Sequence, residues 1–453
     1  MKKITLITAI SLALASQAAL AKVTPQEAEK LGNELTPNGA IQAGNADGSI
    51  PAWTGGITKP VAGYVKGKHH LDPFSDDKVV LTLTKANYAQ YKDNLTAGQM
   101  QLFETYPDSF KMNIYPTRRS ASVPEHVYAA TKVNATKAEL ISGGNGIKNA
   151  VMGVPFPIPE LGLEVIWNHI TRYRGVNVEM RGSQAAPTAS GDYTLMEMKN
   201  AISFKYTLPG MTPEKLTADN RLFLFKQTMT QPARLAGTSL LVHETINQDG
   251  EPRKAWTYNT GQRRVRKAPN VAFDTPGTAS DGLRTTDDFD MYNGSPSRYN
   301  WKLIGKKELY IPYNSYKLHA RGVSYDDLLQ PGHLNPDYIR YEKHRVWQVE
   351  ATLKEGLRHT YKKRVFFIDE DNWQVSVADI YDNRDQLYRV AMAHELNYYE
   401  VPTSWSTLEV FHDLQSRRYI AIGLDNDAGM YNFDSKLTDR QFTENALRRA
   451  GRR

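Results

Sequence analysis

The sequence predicts a mainly β protein with peripheral helices (α+β), built on one large curved antiparallel sheet. Three observations carry this. Residues 200–208, 222–230, 239–245, 255–259, 345–353, 361–368 and 373–381 are rich in Phe, Tyr, Trp, Val and Thr, and several alternate with period two. In 345–353, Trp347, Val349, Ala351 and Leu353 share one face, with Val346, Gln348, Glu350 and Thr352 on the other. Turn signals separate these runs: Asn247-Gln248-Asp249-Gly250, Asn259-Thr260-Gly261, Glu355-Gly356 and Asp369-Glu370-Asp371-Asn372. Short loops between alternating strands make antiparallel hairpins. No long helical crossover intervenes, which argues against a doubly wound parallel sheet.

Taken in order, the chain opens on a secretory leader at 1–21. Lys2 and Lys3 form its positive end, 4–15 its apolar stretch, and Ala19-Leu20-Ala21 its cleavage site. The apolar run is shorter than the ~20 residues of a spanning helix. The expectation is therefore an exported, periplasmic protein without a transmembrane segment in its mature chain, folded as one domain over 22–453. Its first part, 22–160, reads as irregular. Thr24-Pro25-Gln26-Glu27 is a capping-box start for a helix ending near Leu35. Gly44-Asn45-Ala46-Asp47-Gly48 through Gly56 forbids regular structure, and Trp53 is expected to pin that stretch to the body. Helical periods occupy 84–106, with Thr96 as a cap, and 135–151, interrupted by Gly143-Gly144-Asn145-Gly146. Residues 268–336, rich in Pro, Gly, Asp and Tyr, read as a long insertion in the sheet, packed through Trp301, Tyr310, Tyr313 and Tyr316. A helix at 439–450, capped by Thr438, ends the chain.

Composition narrows the function. There is no cysteine among 453 residues, which excludes disulfides, thiolate metal sites, a cysteine nucleophile and a lipidated N-terminus. The net charge of +7 is mild, and export argues against a nucleic-acid partner. His243-Glu244 and His394-Glu395 lack the second histidine of a zincin, having Asn247 and Tyr398 in its place. His69-His70 with Asp72 reads as a solvent-facing pair before it reads as a metal site. Asp369, Glu370 and Asp371 read as a hairpin turn before an acid/base pair. Asp425-Asn426-Asp427-Ala428-Gly429 misplaces the glycine of a calcium loop. No G-x-S-x-G nucleophile elbow occurs. No metal, cofactor or catalytic residue is expected. Trp256 to Pro269 reads as a strand, a turn and a basic strand on which Arg264 and Arg266 share a face; they either hold an anionic head group or guard a solvent-facing edge.

Several longer segments resemble an uncharacterised family of exported proteobacterial proteins related to the lipoprotein carriers LolA and LolB. These include Leu35-Thr36-Pro37-Asn38-Gly39-Ala40, Tyr115-Pro116-Thr117-Arg118-Arg119, Pro155-Phe156-Pro157-Ile158-Pro159, Trp167-Asn168-His169, Arg172-Tyr173-Arg174-Gly175, Tyr313-Asn314-Ser315-Tyr316 and His344-Arg345-Val346-Trp347. The resemblance implies a LolA/LolB-like incomplete β-barrel curved around a helix, with an apolar concave face. It also implies association with RND-type exporters and companion outer-membrane proteins. The chain departs from LolB in lacking a lipidated cysteine, and it is longer than either carrier.

The leading expectation is a periplasmic carrier or binding protein for a lipid or other hydrophobic molecule. Phe223, Phe225, Trp256, Trp347 and Trp373 are its expected wall, and Arg264 and Arg266 its anionic anchor. Two alternatives stay open. One is a ligand-free envelope protein docking through 36–60 and 268–336. The other is a hydrolase of envelope glycan or lipid using Asp369, Glu370 or His344.

Overall fold

The computed structural model describes residues 23–141, 143–268 and 273–450. The expected leader and the last residues of the basic tail lie outside them. Two short strands come first, β1 (Leu81–Leu83) and β2 (Met112–Ile114), then a small hairpin of β3 (Glu139–Leu140) and β4 (Ile147–Lys148). A first run of hairpins follows: β5 (Asn177–Ala185), β6 (Met196–Phe204), β7 (Arg221–Met229), β8 (Ser239–Thr245), β9 (Lys254–Asn259) and β10 (Arg264–Lys267). The second run is β11 (Tyr299–Pro312), β12 (Tyr341–Leu353), β13 (Lys363–Asp369), β14 (Val375–Tyr381), β15 (Leu387–Tyr398), β16 (Thr403–Asp413) and β17 (Arg418–Leu424).

Apart from β3 and β4, these strands form one sheet in the order β1-β2-β12-β13-β14-β15-β16-β17-β5-β6-β7-β8-β9-β10, with β11 also paired to β12. The pairings are antiparallel, except for one parallel contact that sets Tyr341 beside Ile114. β17 returns to β5, Ala421 opposite Ala185, and so joins the two runs of hairpins into a large curved sheet that does not close.

Pleating explains how both faces of this sheet are filled. In β13, Phe366 and Ile368 enter one core while Val365 and Phe367 enter the other. The first core lies under the helix Gly162–Thr171, where Val165, Ile166, Trp167 and Ile170 are buried with Val349, Ala351 and Ala391. We call this the inner face. Gly162 lets the helix approach closely, since a Cβ there would stand 3.0 Å from Leu303 N and Val349 Cγ1. The outer face carries the second core, built with the helix Ala97–Thr105 and with Leu309, Ile311, Leu328 and Leu334.

Several local expectations hold. The capping boxes at Thr24 and Thr96 form, and Trp53 Nε1 donates to Ala121 O at 3.1 Å. Others need correcting. The first helix covers only Pro25–Ala28. The 135–151 region is a hairpin, β3–β4, and the helix precedes it at Glu125–Ala135. Within 268–336 lies the 14-residue β11, paired along β12.

Candidate ligand-binding site

On the inner face, the first run of hairpins meets the second around two adjoining hollows. One lies between β5, β6, β7, β16 and β17, with Met198, Ile202, Phe225, Trp405 and Ile422 in its wall. The other lies over β7 to β9, with Phe223, Leu240, Val242 and Thr257 in its wall. Each encloses about 100 Å³, and with the open solvent at their mouths they span about 790 and 670 Å³. They share Phe225, Gln227, Arg284 and Phe289. The last two come from a roof, residues 276–293, that crosses above the strands. The wall is apolar because β7 alternates: Phe223 and Phe225 point inward, while Leu224 packs outward against the C-terminal helix cluster.

Buried charge fixes the roof in place. Asp290 accepts from Arg172 Nη2 at 2.7 Å and Nη1 at 2.9 Å, and from Arg174 Nη1. Burial alone would raise its pKa; the two guanidiniums outweigh that and hold it well below the usual carboxylate range. Asp287 accepts from Arg364 Nη2 at 2.7 Å, and Asp288 from the Tyr361 hydroxyl at 2.9 Å. Thr285 Oγ1 donates to both carboxylates, which closes the turn locally. His169, on the inner helix, sits 2.9 Å from Asp290 O.

Arg284 differs from these arginines. It lies on the wall common to both hollows, and among the described residues no carboxylate pairs with it. Its Nη1 reaches only Thr285 O, at a long 3.4 Å, and its buried Nε has no partner. Burial lowers its pKa, against the field of Glu409 and Asp288. Glu409 lines the first hollow and accepts from Ser406 Oγ at 3.0 Å. Burial, then the charge of Asp290, push its carboxyl up to about 7. The site therefore joins a largely apolar wall to the under-used guanidinium of Arg284 and to the carboxyl of Glu409, with Arg181 and Asp290 also at the first hollow.

Of the expected wall, Phe223 and Phe225 line the hollows. Trp256 faces the other way, against His243, Phe442 and Leu447. Trp347 and Trp373 stack on each other at 6.3 Å between centroids, on β12 and the β13–β14 turn, outside the hollows. Trp373 Nε1 donates to Asn38 O at 2.9 Å. Arg264 and Arg266 are exposed on the edge strand β10. Arg266 pairs with Thr257, and directly opposed residues share a face, so both arginines lie on the hollow's side of the sheet. Neither Arg284 nor Glu409 carries a sequence signature; the Asp-rich run 287–290 inside the insertion was the visible trace of the roof.

The other residues weighed from sequence find structural partners. His70 sits 2.6 Å from Glu400 Oε2 and 3.2 Å from His319 Nε2, while Asp72 accepts from Phe74 N at 2.8 Å. Asp425 Oδ2 bonds Thr407 Oγ1 at 2.8 Å and lies 2.9 Å from His319 Nδ1. Asp369, Glu370 and Asp371 do form a turn, but a buried one. Arg119 clamps Asp371 at 2.9 and 2.6 Å, and Lys306 reaches Glu370 at 2.6 Å.

An open curved sheet with a strapped-over apolar hollow is thus the architecture. The chain belongs to the DUF1329 family, described as a protein family of unknown function, whose model matches residues 82–448. It is 52% identical over 444 residues to an uncharacterised Pseudomonas aeruginosa protein, PA3922, covering 98% of this chain and 97% of the relative. Among solved structures, a DUF1329 protein from Desulfovibrio piger is 14% identical, with a TM-score of 0.45 over 63% of this chain and 97% of that one. A putative outer-membrane lipoprotein-sorting protein domain from Vibrio parahaemolyticus is 12% identical, with a TM-score of 0.44 over the same shares.

Proposed function

We propose that this protein is an exported binding or carrier protein for an amphiphile with an apolar body and an acidic head. The body fills the hollows beneath the roof, and the head bonds Arg284. The observation that carries this reading is Arg284 itself. The guanidinium is half-buried, its Nε is enclosed without a hydrogen-bond partner, and among the described residues no carboxylate pairs with it, an arrangement that is costly; it borders two hollows with largely apolar walls. The leader-like segment at 1–21 supports a periplasmic location, and among the described residues no helix is long and apolar enough to cross a membrane. No covalent chemistry is needed. Asp369, Glu370 and His344, the residues a hydrolase would use, are 0%, 2% and 1% exposed, which keeps them from a polymeric substrate. Service to an RND-type exporter and an outer-membrane partner, implied by the family resemblance, is the finer part of the proposal. In-cell cross-linking from the 276–293 roof tests it, and capture of no envelope protein counts against it.

Displacement of a fluorescent acyl probe tests the binding mode. A long-chain fatty acid and the matching fatty alcohol are compared on the parent protein and on Arg284→Gln. A lost charge-assisted bond of ~1.5–3 kcal/mol weakens the acid roughly tenfold or more and leaves the alcohol nearly unchanged. Equal losses for acid and alcohol, or no displacement at all, contradict the reading. Arg264 and Arg266 are the proposed rim: replacing both with Gln slows capture of acidic ligand at low salt, and this difference shrinks as salt is added.

A further inference from the structure

We propose that the chain holds a divalent transition-metal ion between His344, Asp369 and Asp371, outside the hollows. His344 is on β12, Asp369 ends β13, and Asp371 lies in the turn to β14. All three are buried, and one ligand atom from each falls within 4.8 Å of the others.

Three features distinguish this group from an ordinary acidic cluster. The first is Asp369. It is fully enclosed, yet neither carboxylate oxygen meets a hydrogen-bond donor among the described residues. Of its acidic neighbours, Glu395 is held only by Asn372 Nδ2, at 2.9 Å, and the others are compensated by cations. Asp371 is clamped by Arg119, Glu370 by Lys306 and Arg345, and Glu342 by Arg340. The nearest basic group to Asp369 is the imidazole of His344, with Nδ1 at 3.6 Å from Oδ1. An ionised carboxylate buried without donors or counter-charge is strongly unfavourable.

The second feature is how His344 is held. Its other ring nitrogen, Nε2, lies 3.1 Å from Glu342 Oε2, and Tyr313 stacks on the ring at 4.0 Å. With the proton on Nε2, donated to Glu342, Nδ1 turns a bare lone pair toward Asp369. A carboxylate that fixes the far nitrogen is the usual second partner of a metal-bound histidine. Without a cation between them, the lone pairs of Nδ1 and Asp369 repel. The third feature is donor chemistry. Arg119 takes one lone pair on each Asp371 oxygen and leaves another available. One imidazole with two carboxylates suits zinc or manganese better than magnesium or calcium, which take oxygen ligands.

The enclosure makes the ion a structural tie. It joins β12 to the β13–β14 turn. Through Arg119, which also donates to Ile41 O at 2.8 Å, and Asn38, which donates to Asp371 O at 2.9 Å, it reaches the irregular N-terminal stretch.

Metal analysis of the full-length mature protein, purified without chelator, is the test, followed by thermal unfolding after chelation and after return of Zn²⁺ or Mn²⁺. The expected result is ~1 ion per chain, a melting temperature lowered by at least ~5 °C on chelation, and recovery with one of the two ions. Asp369→Asn loses both the ion and the recovery. The competing arrangement, in which Asp369 is a neutral protonated acid, gives the opposite sign: asparagine mimics that acid, and the variant keeps full stability. Absence of a stoichiometric ion together with no thermal response to either metal overturns the proposal, whether or not the variant folds.

Discussion

Asp290 holds two guanidiniums, Arg172 and Arg174, and all three side chains are buried beside the first hollow. Removing one partner of a buried pair leaves the other charge uncompensated, at a cost of ~3–5 kcal/mol. Asp290→Asn is therefore expected to lower the urea midpoint by that equivalent and to loosen the roof, read as faster amide exchange across 276–293. His412 supplies a pH dependence. It lies 3% exposed against Tyr419, and burial lowers its pKa from the ordinary 6.5 to about 3. The unfolded chain binds a proton at this residue below about pH 6.5 and the folded chain does not. Its contribution to stability is thus complete above that pH and drains away as pH falls toward 3. Urea unfolding followed from about pH 7 to about pH 4.5 is expected to show a shallower loss in His412→Gln than in the parent protein, by ~1–3 kcal/mol. Parallel profiles refute the assignment.

Full burial did not by itself hide a strand: β13 and β14, buried on both faces, were readable from their Val, Phe and Ile between turn signals, whereas β15 and β16 were not. β12 alternates, and its pattern was visible in Trp347, Val349 and Ala351. In β15 and β16 nearly every residue is buried, because one face meets the inner core and the other the outer core. Period-two contrast vanishes in such strands. The helix Gly162–Thr171 was missed as well: nine of its ten residues are buried, and its polar stripe of Glu164, Asn168 and Thr171 is buried with them. β11 was hidden by Gly305, at a bulge with φ +131°, and by Pro312 at its end. At the C-terminus the expected helix 439–450 is broken in two: Thr438 and Gln441 cap a separate 3-10 turn, Asp439–Gln441, and the α-helix Glu444–Ala450 covers the outer face of β7 to β9. Leu447 is fully buried there against Trp256 and Tyr258. Leu447→Ala is expected to destabilise by ~2–5 kcal/mol, read as a lower thermal midpoint, and to raise binding of an apolar dye.

Across the molecule, the curved sheet was legible, while the proposed site gathers residues that lie far apart in sequence. Phe223 and Phe225 line the hollow together because strand alternation puts them on one face. Trp256 was one residue out of phase with them, and a one-residue slip reverses a side chain. Arg284 was invisible because it acts through a roof that reaches the hollow across the chain, anchored at Arg172, Arg174 and Arg364, residues remote from it in sequence. Composition marked the insertion without saying which of its charges remained unpaired. The most direct measurement is native mass spectrometry of the protein purified from its own cell envelope, with solvent extraction of whatever travels with it. A bound acidic amphiphile at ~1 per chain, lost from Arg284→Gln protein prepared in the same way, is the result this reading predicts. A bare chain mass with no acyl species in the extract, or equal ligand on parent and variant, would contradict it.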